Sequence, residues 1–276
     1  MPNESWNHLL KDRVAMITGA ASGMGRATAV MFAKHGAKIL VADINDTEGQ
    51  RTVETVKNIG GDAHFVHTDV SSDASVSSAV DAMLQRWGTI DILFNNAAAT
   101  QLCNEHDRAS HELPEQVWDK MLDVTLKSVY LCSKHCLPAM LKKRKGVILN
   151  VTSCDAILPE SGFDSYTAAK GGVISLTKAL AVNYGKQGIR VNCISPGYVI
   201  TEVQMGWFKS NPAAVREVER NHLTPRLGQP EDVAHMAAFL ASDLAGFITG
   251  ATIPVDGGYQ MYKPSSATEF CREPGK

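Results

Sequence analysis

Tyr166 and Lys170 lie four residues apart in the stretch SYTAAKGG, Ser165 to Gly172. Residues at i and i+4 share one face of a helix. A surface cation resting on an aromatic ring would be worth only about 0.5–1 kcal/mol. It would explain neither the small residues around the pair nor Ser153 upstream. The alternative is an ammonium that readies a phenol to take a proton. A free tyrosine, pKa near 10, is ionised about once in a thousand at pH 7, and bringing it to about 7 takes roughly 4 kcal/mol. One ammonium about 4 Å away offers roughly that much at an effective dielectric near 20. Burial acts against the shift and must be outweighed. Ala168, Ala169, Gly171 and Gly172 suit close approach by a ligand or a neighbouring helix.

A second chemical element stands near the start. An apolar run is followed by TGAASGMG, with Gly19, Ser22, Gly23, Met24 and Gly25, and then by the helical pattern RATAVMFAKHG. Glycines let the backbone turn tightly against a pyrophosphate, and the helix N-terminus offers unpaired N–H groups. The spacing is G-x-x-x-G-x-G rather than G-x-G-x-x-G. Asp43 follows Gly25 by 18 residues, at the end of the next apolar run. There it can accept hydrogen bonds from both ribose hydroxyls of NAD. It would repel the 2′-phosphate of NADP, and neither Ser22 nor Ile44 supplies a cation to offset this. Asp69-Val70 and Asn95-Asn96-Ala97 close two further apolar runs, from which they can reach the adenosine half of such a cofactor.

These groups need a scaffold that brings strand ends together. Seven nearly continuous apolar runs recur: 13–20, 38–44, 63–70, 90–98, 146–153, 190–197 and 251–258. Each is followed by a segment of helical character. Non-alternating runs suit parallel strands covered on both faces, and strand–helix alternation predicts a doubly wound α/β fold. No repeat or linker interrupts the series, so residues 1–276 read as one domain. Two long connections, about 99–113 and 201–227, leave strand ends. The second carries Met205, Trp207 and Phe208 and reads as a substrate lid. Residues 263–276 read as a loose tail or subunit-contact arm.

Composition excludes other classes. The formal net charge is −2, with 44% hydrophobic and 20% charged residues. No basic field exists for nucleic acid or anionic lipid. The start, MPNESWNHLLKDR, carries no apolar core of signal-peptide length, and no stretch approaches bilayer-spanning length; a cytoplasmic protein is expected. The six cysteines form no C-x-x-C pair or metal spacing, and Cys154, beside Ser153, reads as an inert neighbour. His106, Asp107, His111 and Glu112 match no standard metal set and read as a solvated loop, so no metal is expected.

Together, TGAASGMG, Asp69-Val70, NNAA, Ser153, Tyr166-x-x-x-Lys170, PGYVIT (196–201) and VDGG resemble the short-chain dehydrogenase/reductase family over about residues 12–260. The resemblance implies a single-domain, seven-stranded Rossmann fold and a nicotinamide cofactor, here NAD. It implies hydride exchange between that cofactor and a secondary alcohol or ketone. Ser153 would hydrogen-bond the substrate oxygen, with Thr152 as the rival position. Tyr166 would be the general acid/base. Lys170 would also hold the nicotinamide ribose. Thr201 would fix the carboxamide, with Pro196, Gly197 and Val199 beside it. A homotetramer is implied, packed through helices around 114–142 and 164–184.

Two positions depart from the family pattern. Ala98 stands where glycine is usual. Thr125 stands where relatives carry an asparagine that supports a water-linked proton path to the lysine. Part of that role is assigned to the main-chain carbonyl, which Thr125 also has, so the relay is expected to survive. Dehydration or epimerisation on the same fold is a second reading, and an NAD-binding sensor without turnover a third. The mixed polar and aromatic residues near the site favour a cyclic alcohol, polyol or sugar.

Overall fold

The computed structural model describes residues 8–261; the tail assigned to 263–276 and the side chain of Trp207 lie outside the described residues. Seven strands form: β1 Val14–Thr18, β2 Lys38–Asp43, β3 Asp62–His67, β4 Ile92–Asn95, β5 Gly146–Val151, β6 Ile189–Pro196 and β7 Thr252–Val255. Each falls within or beside one of the seven apolar runs. All pair in parallel, in the order β3-β2-β1-β4-β5-β6-β7.

The apolar runs are explained by coverage on both faces. Successive side chains point to opposite faces of a strand. Ala15 and Ile17 of β1 join one cluster with Ile39, Val41, Phe32 and Phe94. Val14 and Met16 join another with Leu40, Ala42 and Leu93. The first face is covered by α1 (Gly23–Lys34), α2 (Asp46–Asn58) and α10 (Pro230–Ala241). The second is covered by α3 (Asp73–Trp87), α6 (Ser128–Lys143) and α7 (Asp164–Tyr184). This is the doubly wound arrangement.

The two long connections are more ordered than their composition suggests. The first folds into α4 (Thr100–His106), followed by α5 (Glu115–Leu122). The lid region folds into α8 (Glu202–Ser210) and α9 (Pro212–Arg220). Between α5 and α6 the chain makes a π turn over Asp123–Lys127, with Thr125 buried at its centre. π turns interrupt the regular ladder and recur at functional sites. The strand order reverses between β1 and β4, and the crevice beyond their carboxyl ends is where such sheets bind ligands.

Candidate active site

A cavity of about 380 Å³ opens at that crevice. Gly19, Ser22, Gly23, Met24, Asn96 and Ala97 line one end, at the carboxyl ends of β1 and β4. Ser153 and Tyr166 line the other, and Pro196, Gly197, Val199 and Thr201 run along the wall from β6.

The glycine end is built by close backbone contact. Gly19 has φ +63°, and a Cβ there would lie 2.9 Å from the Ala97 Cα. A Cβ on Gly25 would lie 2.0 Å from the Gly19 carbonyl oxygen. Thr18 Oγ1 accepts the backbone N–H groups of Asn96 and Ala97, each at 3.1 Å. Asn96 Nδ2 donates to the carbonyls of Thr18 and Gly19, each at 3.1 Å. Its buried Oδ1 has no partner among the described residues. Asp43 accepts the N–H groups of Ala21 and Asn45, each at 2.9 Å, and Ile44 beside it is exposed. At the N-terminus of α1, Gly23 N–H donates to the Glu202 carboxylate at 2.9 Å. The Arg26 guanidinium lies 3.6 Å from the same carboxylate. An anion from the chain itself thus occupies this donor set, which is the chemistry a pyrophosphate requires.

The other end holds the proton-transfer groups. Lys170, 2% exposed, donates from Nζ to the Val151 carbonyl at 2.8 Å. Its ammonium lies 5.6 Å from the centroid of the Tyr166 ring. Tyr166 sits in the first turn of α7, whose N-terminus Asp107 caps. The carboxylate of Asp107 accepts the N–H of Tyr166 at 2.9 Å and of Ser165 at 3.3 Å. Ser153 Oγ donates to Asp155 at 3.0 Å and accepts the Asp155 N–H at 3.2 Å. Thr152, its rival, spends its hydroxyl on the Lys170 carbonyl at 2.8 Å.

Burial dominates the electrostatics. It pushes the Tyr166 phenol well above its ordinary value, and the Asp155 charge adds to the rise. Burial brings Lys170 down to about 8. Asp155 is driven up to about 6, by burial first and then by the Glu160 charge. The lowering of Tyr166 by Lys170 that the spacing predicts is therefore not present in the chain on its own. Desolvation of the phenolate is the larger effect.

A short-chain dehydrogenase sequence profile, described as enoyl-(acyl carrier protein) reductase, matches residues 19–260. The chain is 40% identical over 250 residues to cis-4-hydroxycyclohexanecarboxylate dehydrogenase of Sinomonas cyclohexanicum, covering 90% of this chain and 96% of that protein. It is 35% identical over 248 residues to cyclohexanol dehydrogenase of Acinetobacter sp. (strain SE19), covering 90% and 95%. The crystal structure of gox2181 superposes with a TM-score of 0.87 at 29% identity, covering 93% of this chain and 98% of that one. The chain belongs to the short-chain dehydrogenase/reductase family.

In this dehydrogenase/reductase, not every residue singled out in the sequence lines the cavity. Gly25 lies behind the glycine loop and Lys170 beneath Tyr166. Asp43, Ile44, Asp69 and Val70 stand off the cavity, near the carboxyl ends of β2 and β3. Asp69 accepts both the N–H and the hydroxyl of Ser71, at 2.9 and 2.6 Å, which holds its carboxyl below the usual range. Thr125 Oγ1 accepts the Ala99 N–H at 3.2 Å and lies 3.5 Å from the Met121 sulfur. Its hydroxyl thus braces the start of α4. In the lid, Val203 and Gln204 line the cavity while Met205 is exposed.

Residues missed in the sequence include Asp107, which caps α7, and Tyr198, whose hydroxyl donates to Glu160. His106, Asp107, His111 and Glu112 do not converge, and no group of three potential metal ligands forms among the described residues. Cys154 is buried, and burial pushes its thiol up. No helix among the described residues is long and apolar enough to cross a membrane.

Proposed function

We propose that this oxidoreductase is an NAD-dependent alcohol dehydrogenase or carbonyl reductase acting on a small secondary alcohol or ketone, with a cyclic alcohol, polyol or sugar favoured. The observation that carries the reading is the meeting of Ser153 and Tyr166, with Lys170 beneath, in one cavity with the glycine loop. The glycine cradle, the orphan Asn96 Oδ1 and the carboxylate already held by Gly23 N–H fit a nicotinamide dinucleotide. When bound, that group supplies hydride acceptance and donation.

Gly19, Ser22, Gly23, Met24 and Gly25 form the pyrophosphate seat. Asp43, with Ile44 beside it, takes the adenosine ribose and sets the preference for NAD over NADP. Asp69, Val70, Asn96 and Ala97 border the adenosine half. Pro196, Gly197, Val199 and Thr201 border the nicotinamide half. Tyr166 takes the alcohol proton at its hydroxyl oxygen or returns it in reduction. Ser153 hydrogen-bonds the reacting oxygen; the commitment of the Thr152 hydroxyl to the Lys170 carbonyl of the main chain supports Ser153 over Thr152 in that role. Lys170 keeps a positive charge under the phenol and holds the nicotinamide ribose. Thr125 supports the proton path through its main-chain carbonyl. The protein works in the cytoplasm as a homotetramer, a state that exposed Tyr130 of α6 and Val182 of α7 support.

The test is nicotinamide reduction with NAD⁺, and separately NADP⁺, across secondary alcohols, cyclic diols and sugars, for wild type beside Tyr166→Phe. Turnover with NAD⁺ that disappears in the variant is expected. Turnover retained in the variant rejects Tyr166 as the acid/base, and preference for NADP⁺ rejects the assigned role of Asp43.

A further inference from the structure

The substrate end of the cavity has an unusual charge balance. Among the described residues that line the whole cavity, none is Lys, Arg or His, and the two carrying charge are both carboxylates, Asp155 and Glu160. Lys170, the cation closest to Tyr166, is buried and gives a hydrogen to the Val151 carbonyl. Asp155 holds Ser153 Oγ at 3.0 Å. Glu160 is fixed from behind: its Oε1 accepts the hydroxyl of Tyr198 and, at 3.5 Å, that of Tyr259. Both recorded bonds fall on Oε1, which leaves Oε2 for a ligand. The tyrosine rings pack against His222, with centroids 5.1 Å from it for Tyr259 and 6.1 Å for Tyr198. His222 is 8% exposed, and its Nε2 has no partner among the described residues. The wall behind Glu160 is therefore packed and aromatic, and the Tyr198 and Tyr259 hydroxyls hold Glu160 in place.

We propose that Asp155 and Glu160 are specificity-determining residues that admit uncharged or cationic ring alcohols and turn away alcohols bearing a carboxylate. The proposal rests on the dehydrogenase reading above and narrows its substrate class. A carboxylate entering this cavity would find no cation to pair with and two like charges to repel it. Hydroxyl and ammonium groups, by contrast, are donors, and both wall carboxylates accept. At a few ångströms beyond contact and an effective dielectric near 20, each like charge weakens binding by about tenfold or more.

The test uses three rings of similar size: trans-4-methylcyclohexanol, trans-4-aminocyclohexanol and trans-4-hydroxycyclohexanecarboxylate. Dissociation constants are measured by calorimetry near pH 7.5, on the protein alone and with NADH, alongside kcat/KM with NAD⁺. For wild type the carboxylate ring is expected to bind about tenfold or more weaker than the methyl ring, and the amine as well or better. In Glu160→Gln, which keeps an acceptor for both tyrosines, the penalty against the carboxylate relative to the methyl ring shrinks by about tenfold. Asp155→Asn acts in the same direction. Carboxylate binding within threefold of the methyl ring, binding by none of the three, or an unchanged ratio in both variants overturns the proposal. Binding in the expected order with no turnover sinks the dehydrogenase reading and leaves charge selection standing.

Discussion

Asp107 accepts the backbone N–H of Tyr166 at 2.9 Å, across 59 positions of sequence. The contact ties the first turn of α7 to the end of α4. It fixes where the phenol enters the cavity, because the first turn of a helix has no intrahelical partners for its own N–H groups. Asp107 is 2% exposed, so its removal leaves buried donors unpaired.

Asp107→Ala is therefore expected to lower stability by about 1–3 kcal/mol, the cost of an unsatisfied buried donor or a lost cap. Turnover should fall more than cofactor affinity, since the displaced group is Tyr166 and not the glycine loop. Asp107→Asn keeps an acceptor and should recover most of both. Thermal unfolding and steady-state kinetics on the two variants check this. Equal loss in kcat and in NADH affinity would mean that the cap acts on the whole fold.

Glu202 competes for the donor that a pyrophosphate needs. Its carboxylate takes Gly23 N–H at 2.9 Å, and its side chain is 59% exposed, so salt screens the contact. Exposed ionic contacts are worth about 0.2–1 kcal/mol. Glu202→Gln should thus tighten NADH binding by roughly two- to fivefold at low salt, with the gain shrinking as salt rises. A fluorescence titration reads it directly, and weaker binding in the variant would show that Glu202 helps the cofactor.

Lys170 costs stability where it serves chemistry. Its pKa falls from 10.5 in the unfolded chain to about 8 in the fold. Below about pH 8 both states carry the proton and the cost is present in full. Between about 8 and 10.5 the unfolded state binds more protons, so stability rises with pH and the cost fades. The gap between the two values is worth about 3 kcal/mol at most, offset by about 1 kcal/mol for the Val151 carbonyl left unpaired. Lys170→Met should accordingly be inactive yet more stable by about 1–2 kcal/mol at pH 7, and the gain should vanish by about pH 10.5. Urea unfolding across that range measures it.

Gly25→Ala places a methyl 2.0 Å from the Gly19 carbonyl oxygen, a backbone atom that cannot step aside cheaply. The glycine loop must open. NADH affinity is expected to drop by about tenfold or more, with a stability loss of about 1–3 kcal/mol typical of overpacking. Calorimetric titration with NADH is the check; unchanged affinity would remove the loop from the cofactor seat.

All seven strands, the glycine loop and the Tyr166–Lys170 pair could be read from local pattern, because parallel strands covered on both faces leave continuous apolar runs and because the loop and the pair are each contiguous; Ser153 comes only from the family resemblance. The missing pieces depend on contacts between distant segments. Asp107 belongs to a run of polar residues that reads as solvated, and only its approach to Ser165 and Tyr166 makes it a cap. Glu160 gains its role from Tyr198 and Tyr259, 38 and 99 positions away. Residues 201–227 read as one long connection, yet they form two short helices broken at Asn211-Pro212. The upward direction at the Tyr166 phenol was not legible for another reason: helical spacing places the lysine charge, whereas the degree of burial is a property of the packed fold.

Cys103, Cys132, Cys136, Cys154 and Cys193 are all buried, none more than 5% exposed. Burial drives their thiols up, to about 12 for Cys132 and about 11 for Cys193. The thiolate is the form that attacks alkylating reagents, so the three thiols packed away from the cavity, Cys132, Cys136 and Cys193, stay chemically silent while the fold is closed. Each becomes reactive only when its own element opens. The rate at which a mild reagent labels Cys193 on β6 against Cys132 on α6 would therefore clock how often the sheet and its covering helix come apart, without a single engineered probe.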